Sequence, residues 1–229
     1  MDFESICSHI LRTYEENKPK ADFNTSNFMD FDIMKKSLVM RLVNMKQNES
    51  LLQKVPYLKF LDLAVVFQYV VTEIGDEYAT ILVHNVHMKL WNVTVDDLYK
   101  IAMENTPKLL PYNLMNIESI FREQINMEST FCEGMFMLTN RLRIYGATSV
   151  LYPELLEVIK EKVGDDKWIM IPSSVHEWLI LPEKDFGYMK NKEDLQMFIT
   201  SVNKAELKEE EILSNHAYHF NWKELAILE

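Results

Sequence analysis

Two apolar runs, DLAVVFQYVVT at 62–72 and YATILV at 78–83, constrain this chain more than any other feature. A strand points alternate side chains to opposite faces, so a run apolar at nearly every position must be covered on both sides. The link EIGDE carries Gly and acids and predicts a hairpin. A second apolar hairpin is predicted from Lys167–Ile171 and Val175–Leu181, joined by Pro172, Ser173 and Ser174. Helical stretches lie between and after these pairs. Thr94 and Asp97 make a near capping box before a stripe of Val95, Leu98, Ile101 and Ala102, and Pro107 is expected to end that helix. Pro153 suits the start of a helix carrying Leu155, Leu156, Ile159 and Val163, closed by Gly164. Asn191 is placed to cap a helix carrying Leu195, Phe198, Ile199 and Val202. Hairpins with helices between them predict an α+β fold: a mixed, largely antiparallel sheet built from hairpins, with helices packed on it.

The remaining stretches fill in around this frame. Phe3, Ile6, Ile10 and Tyr14 recur at helical spacing behind Asp2, which predicts a helix over 3–16, ended by the polar run 17–27. Residues 36–44 suit a strand, and Asn48–Val55 a short helix stopped by Pro56. A helix is expected at Ile117–Asn126 and strands at Met135–Thr139 and Ile144–Leu151, although GATSVLY reads equally well as the start of a helix. A last strand falls near Ser214–Asn221. No repeat recurs, and residues 1–229 read as one α+β domain, with 107–130 the candidate division between two lobes.

Charge excludes some functions. The chain has 35 acidic and 24 basic residues among 229, a formal net charge of −11, so a phosphate-tracking nucleic-acid groove is not expected. Five glycines leave no phosphate-cradling loop, and no cofactor motif is present. Cys7 and Cys132 fit no C-x-x-C pattern and read as reduced thiols. The opening MDFESICSHI is acidic where a secretory leader is basic, and the stretch Phe60–Val71 is too short for a bilayer. The expectation is a cytoplasmic protein without membrane contact.

Three clusters invite chemistry. His84 and His87 could share a metal if their segment is helical, but no third ligand of a known zinc motif follows, so no metal is expected. His216 and His219 repeat the spacing in a segment that reads as a strand, which separates the two rings. PSSVHEWLILP places Ser173, Ser174, His176 and Glu177 in an apolar frame. On a strand His176 and Glu177 diverge, and Ser173 lies in no nucleophile elbow, so the serines are expected to satisfy the turn's backbone. A buried Glu177 would need a partner, for which Arg141 or Arg143 stands in the neighbouring turn.

PSSVHEWLILP, FLDLAVVFQYVV, HNVHMKLWNVTVDDLYKIAMENTP and MLTNRLRIYGATSVLYPELL together resemble a family of uncharacterised proteins of anaerobic Gram-positive bacteria, over roughly residues 35–220. The resemblance implies a bacterial setting and supplies no activity, cofactor or catalytic residue. The positions it marks are Asn85, His87, Asn140, Arg141, Ser173, Ser174, His176 and Glu177, polar residues at strand ends and turns. The expected function is non-catalytic binding of a protein or small molecule by polar turns at one end of the sheet. The alternative is a hydrolytic or metal-dependent enzyme using His87 and His176.

Overall fold

The computed structural model describes residues 30–74, 77–119, 134–164, 167–184, 192–221 and 225–228, with backbone alone at 71–74, 77 and 78. Ten strands and six α-helices occur among them. The strands are β1 (Leu38–Asn44), β2 (Tyr57–Phe60), β3 (Leu63–Ile74), β4 (Glu77–Leu82), β5 (Tyr112–Asn116), β6 (Phe136–Asn140), β7 (Lys167–Ser174), β8 (Glu177–Pro182), β9 (Tyr218–Asn221) and β10 (Leu225–Ile227). The helices are α1 (Phe31–Met34), α2 (Glu49–Leu52), α3 (Asn85–Trp91), α4 (Val95–Leu109), α5 (Leu155–Val163) and α6 (Lys192–Glu206).

The α+β class expected from the hairpins is observed, and the strands divide into two sheets. The first has order β1-β3-β2 with β4 also on β3; the second runs β10-β9-β7-β8-β6-β5. Every described ladder is antiparallel. Both predicted hairpins form, as β3–β4 and β7–β8. The long apolar strand β3 is buried on both faces. Leu63, Val65, Phe67 and Tyr69 join the main core, while Ala64 and Val66 pack with Val43, Leu52 and Val55 behind it. The main core also takes Trp168, Met170, Trp178 and Ile180 from the second sheet, so one apolar cluster draws on both sheets.

Helix α4 packs along β1, with Leu98 and Ala102 fully buried. Strand β1 is an edge, and its outward amides need acceptors. Threonines supply them: Thr106 Oγ1 accepts from Met40 N–H at 3.0 Å, and Thr148 Oγ1 from Leu42 N–H at 3.0 Å. Thr148 belongs to a 3₁₀ turn at Gly146–Leu151 that packs against β6. The edge is therefore closed by side chains of two distant segments.

Four expectations need correction. Pro107 does not end α4, which runs to Leu109, because a proline in the last turn forfeits only one hydrogen bond while Thr106 stays anchored on Met40. Residues 144–151 are not a strand. The hydroxyl of Ser149 donates to the Gly146 carbonyl and that of Thr148 turns to β1, which favours the tight turn. The β7–β8 hairpin turns at Val175–His176 rather than at Pro172–Ser174. Pro172 sits within β7 beyond the β9 ladder, which stops at Met170, so its missing N–H deprives no partner. Strand β5 occupies part of a stretch that showed no strand pattern. The expected helix at 3–16, the Asn191 cap, Cys7 and Cys132, and most of 117–126 lie outside the described residues.

Thr148→Val keeps the shape and removes the acceptor for Leu42 N–H. The buried amide left without a partner should cost about 1–3 kcal/mol, read as a lower urea midpoint at unchanged slope.

Candidate functional site

The eight positions marked in the sequence separate into two places. Asn85 opens α3 and donates from Nδ2 to the Gln53 carbonyl at 3.2 Å. It lines an open concavity of about 540 Å³ with Met88, Lys89, Asn92, Val93 and Thr94. His87 sits two residues on, and its Nδ1 accepts from His84 N–H at 3.1 Å, so the ring answers a backbone donor at the helix start. The two imidazoles do meet, edge to face with centroids 5.5 Å apart. Among the described residues no three His, Cys, Asp or Glu side chains gather as a metal site.

The other six residues converge where the turn after β6 meets the tip of the β7–β8 hairpin. Asn140 builds the turn. Its Oδ1 accepts from Leu142 N–H at 3.1 Å and Ile144 N–H at 3.3 Å, and Nδ2 donates to the Ile144 carbonyl at 2.8 Å. With 1% of its surface exposed it is scaffold rather than ligand. Arg141 donates its backbone N–H to Pro111. Ser174 Oγ accepts from His176 N–H at 3.0 Å, satisfying the turn as expected. Ser173 instead donates to Glu177 Oε1 at 3.3 Å, which makes Ser173 a described partner of that carboxylate.

His176 locks the hairpin tip to the turn. Its carbonyl accepts from Thr139 Oγ1 at 2.8 Å, and its Nδ1 accepts from Tyr145 N–H at 3.1 Å. Its ring stacks on that of Tyr145, centroids 5.6 Å apart and planes at 20°. Gly146 makes this approach possible. A Cβ there would stand 2.2 Å from Thr139 Oγ1, 2.5 Å from the His176 carbonyl and 2.6 Å from Asn140 N. The turn is also strained, with Arg143 and Tyr145 in the left-handed region at φ 56° and 51°.

Sequence reading marked only His176 of this stack and missed Tyr145 as well as a third member. Arg41, on β1 of the other sheet, places its guanidinium carbon 3.7 Å from the Tyr145 ring centroid. Its Nε is buried and has no hydrogen-bond partner. Burial holds the guanidinium below its ordinary value, opposed only by Tyr145. The available signal was an arginine inside the otherwise apolar LVMRLV of β1.

A second constellation was also missed. Asp62, in the β2–β3 turn, accepts from Ser214 Oγ at 2.8 Å and lies 3.1 Å from His216 Nδ1, both through Oδ2; its Oδ1 accepts from the Tyr218 hydroxyl at 2.5 Å. Burial, reinforced by the Asp62 charge, pushes the Tyr218 phenol far above its ordinary value and keeps it a donor. Serine, histidine and aspartate do not make a relay here. Ser214 is buried and bonds the carboxylate rather than the outer imidazole nitrogen, so the group is a clamp between sheets. His219 turns to Glu183 at 3.5 Å, so the two histidines of this segment serve different partners, in keeping with separated rings.

Together these observations define a two-sheet α+β protein whose polar turns meet across the sheets. Residues 1–222 match the model of the Family of unknown function (DUF5688), and the chain belongs to that family. No curated protein and no solved structure matches it.

Two outcomes are expected. Tyr218→Phe removes one of three donors to a half-buried carboxylate and should cost about 1.5–3 kcal/mol by chemical denaturation. Burial, then the neighbouring His84, lowers the His87 value. The neutral ring therefore belongs to the fold, and its stabilisation is present above the unfolded value, about pH 6.5, and lost as pH falls through the lowered one. Protection factors of the Asn85–Met88 amides, which divide out the base-catalysed intrinsic rate, should fall as the pH is lowered, and His87→Gln should flatten that dependence.

Proposed function

We propose that this protein is a non-catalytic binding protein of the bacterial cytoplasm, of the kind expected in anaerobic Gram-positive bacteria, and that one domain presents the turn 140–146 and the hairpin tip 173–177 to a ligand. The observation that carries this reading is the stack of Arg41, Tyr145 and His176. It joins three separate segments by aromatic and cation–π contact and by the bond from Tyr145 N–H to His176 Nδ1. Rigid sheet elements hold polar groups at a strained turn, which is where binding sites concentrate.

The catalytic alternative asks His87 and His176 to act together. Each already spends Nδ1 on a backbone amide, His87 on that of His84 and His176 on that of Tyr145, which favours binding. The acidic balance and the absence, among the described residues, of a helix long and apolar enough to cross a membrane support a partner that is neither nucleic acid nor bilayer.

The test is a ¹H–¹⁵N spectrum of the full chain titrated with a fragment set of anionic, neutral and cationic members. Shifts confined to residues 139–146 and 173–177, without turnover of any fragment, are expected. Shifts confined elsewhere, hydrolysis of a fragment, or a stoichiometric metal bound through His87 would overturn the reading.

A further inference from the structure

Among the described side chains of β1, β2 and β3, those that share a face with Arg41 are poor in acceptors. Strand alternation and register put Val39, Arg41 and Val43 of β1, Tyr57 and Lys59 of β2, and Ala64, Val66 and Gln68 of β3 on that face. The two charged members are both cations. The turn packed beside Arg41, residues 140–145, adds Arg141 and Arg143 and no acid. Five arginines occur in the whole chain, and three are in this neighbourhood although the net charge is −11. Near Arg41, diagonally across the β1–β3 ladder, Gln68 is also left with an unanswered donor. Its Oε1 accepts from Thr80, but Nε2 is buried without a partner.

An arginine taken partly out of water normally recovers the cost from a carboxylate. Arg41 has no described ion pair or hydrogen bond, and the contact it does make, with the Tyr145 ring, cannot neutralise a full charge. The Tyr145 ring lies against the guanidinium, and His176 holds Tyr145 by stacking and by the bond from its amide. With Nε enclosed, the terminal Nη1 and Nη2 are the fork left for an incoming group. A planar fork held this way matches two oxygens of a carboxylate or a phosphate.

We propose that Arg41 is an oxyanion receptor, taking the carboxylate or phosphate group of a ligand through its terminal nitrogens with Tyr145 as platform and His176 as positioning residue. The proposal rests on the binding reading above and names its ligand class. It also assigns Arg41 a role that works against the empty fold. A structural arginine stabilises the protein around it; a receptor arginine without its anion destabilises it.

The experiment measures the thermal unfolding midpoint of the full chain against sodium phosphate and, separately, sodium citrate, with ionic strength held constant by sodium chloride. The parent chain should show a saturable rise with at least one of them. A response to phosphate alone assigns a phosphoryl ligand, to citrate alone a carboxylate, and to both a general oxyanion; each supports the proposal. Arg41→Met should unfold at a higher temperature than the parent without anion and lose the response. Arg41→Lys keeps the charge without the fork and should bind at least about tenfold more weakly, which keeps the test open if the Met variant does not fold. No response in the parent, or an undiminished response in the variants, overturns the receptor. Fragment shifts at 139–146 and 173–177 that persist while neither anion acts would overturn the receptor alone; loss of those shifts as well would overturn both readings.

Discussion

The carboxylate of Asp62 is the constraint on which the relation between the two sheets depends. It lies in the turn that joins β2 to β3, and the Tyr218 and Ser214 hydroxyls and the His216 ring that surround it all come from the segment leading into β9 of the other sheet. A carboxylate removed partly from water must collect donors or take up a proton. Here the donors are supplied by a distant part of the chain, so the electrostatic need of one turn becomes the fastening of a second sheet. Asn44 adds to the same junction by donating to the Leu213 carbonyl at 2.9 Å. The Tyr218 ring continues the connection inward, meeting Trp178 edge-on at 5.1 Å, and Trp178 Nε1 donates to the Ala147 carbonyl. A chain of contacts thus runs from the β2–β3 turn through the core to the base of the strained turn.

The strained turn is held by the same logic. Thr148 must reach Leu42 N–H to close the β1 edge, and Ala147 is tied to Trp178, so the backbone at 143–146 has little freedom in how it enters the 3₁₀ turn. Two non-glycine residues in the left-handed region cost on the order of 1–3 kcal/mol each. Surrounding contacts over-determine the turn and maintain it. What the strain achieves is visible in one side chain: it delivers the Tyr145 ring to Arg41 and its amide to His176.

How much of this was legible in the sequence follows from which signals are local. The hairpins, the capping box of α4 and the glycine stop of α5 were readable because their causes lie within a few residues. The hairpin turn at Val175–His176 was misplaced, since Pro172 disqualifies a strand only if a neighbour needs its N–H, and where β9 ends is tertiary information. Six of the eight marked positions converge because β6 and β8 are paired antiparallel, which puts the turn after β6 beside the hairpin tip before β8. Asn85 and His87 belong elsewhere, as a polar residue at a helix start looks the same in sequence whether it caps or binds. Arg41 and Asp62 were hidden for a physical reason. Each is a lone charge in an apolar run, and its meaning depends on whether the opposite charge or donor arrives from far along the chain.

That question separates the two residues. Asp62 finds three donors inside the protein, and its charge is explained by the fold. Arg41 finds an aromatic face and no acceptor, and its charge is not. Local consistency tends to fail in natural proteins where function is located, because a residue that the fold does not need persists only if something else needs it. The left-handed residues Arg143 and Tyr145 lie in the turn that brings the Tyr145 ring to Arg41, and Gln68, with its own unanswered donor, sits diagonally across the β1–β3 ladder from Arg41. The clamp at Asp62 and the stack at Arg41 are then two uses of one junction, the first closing the sheets together and the second leaving a charge between them for a ligand to complete.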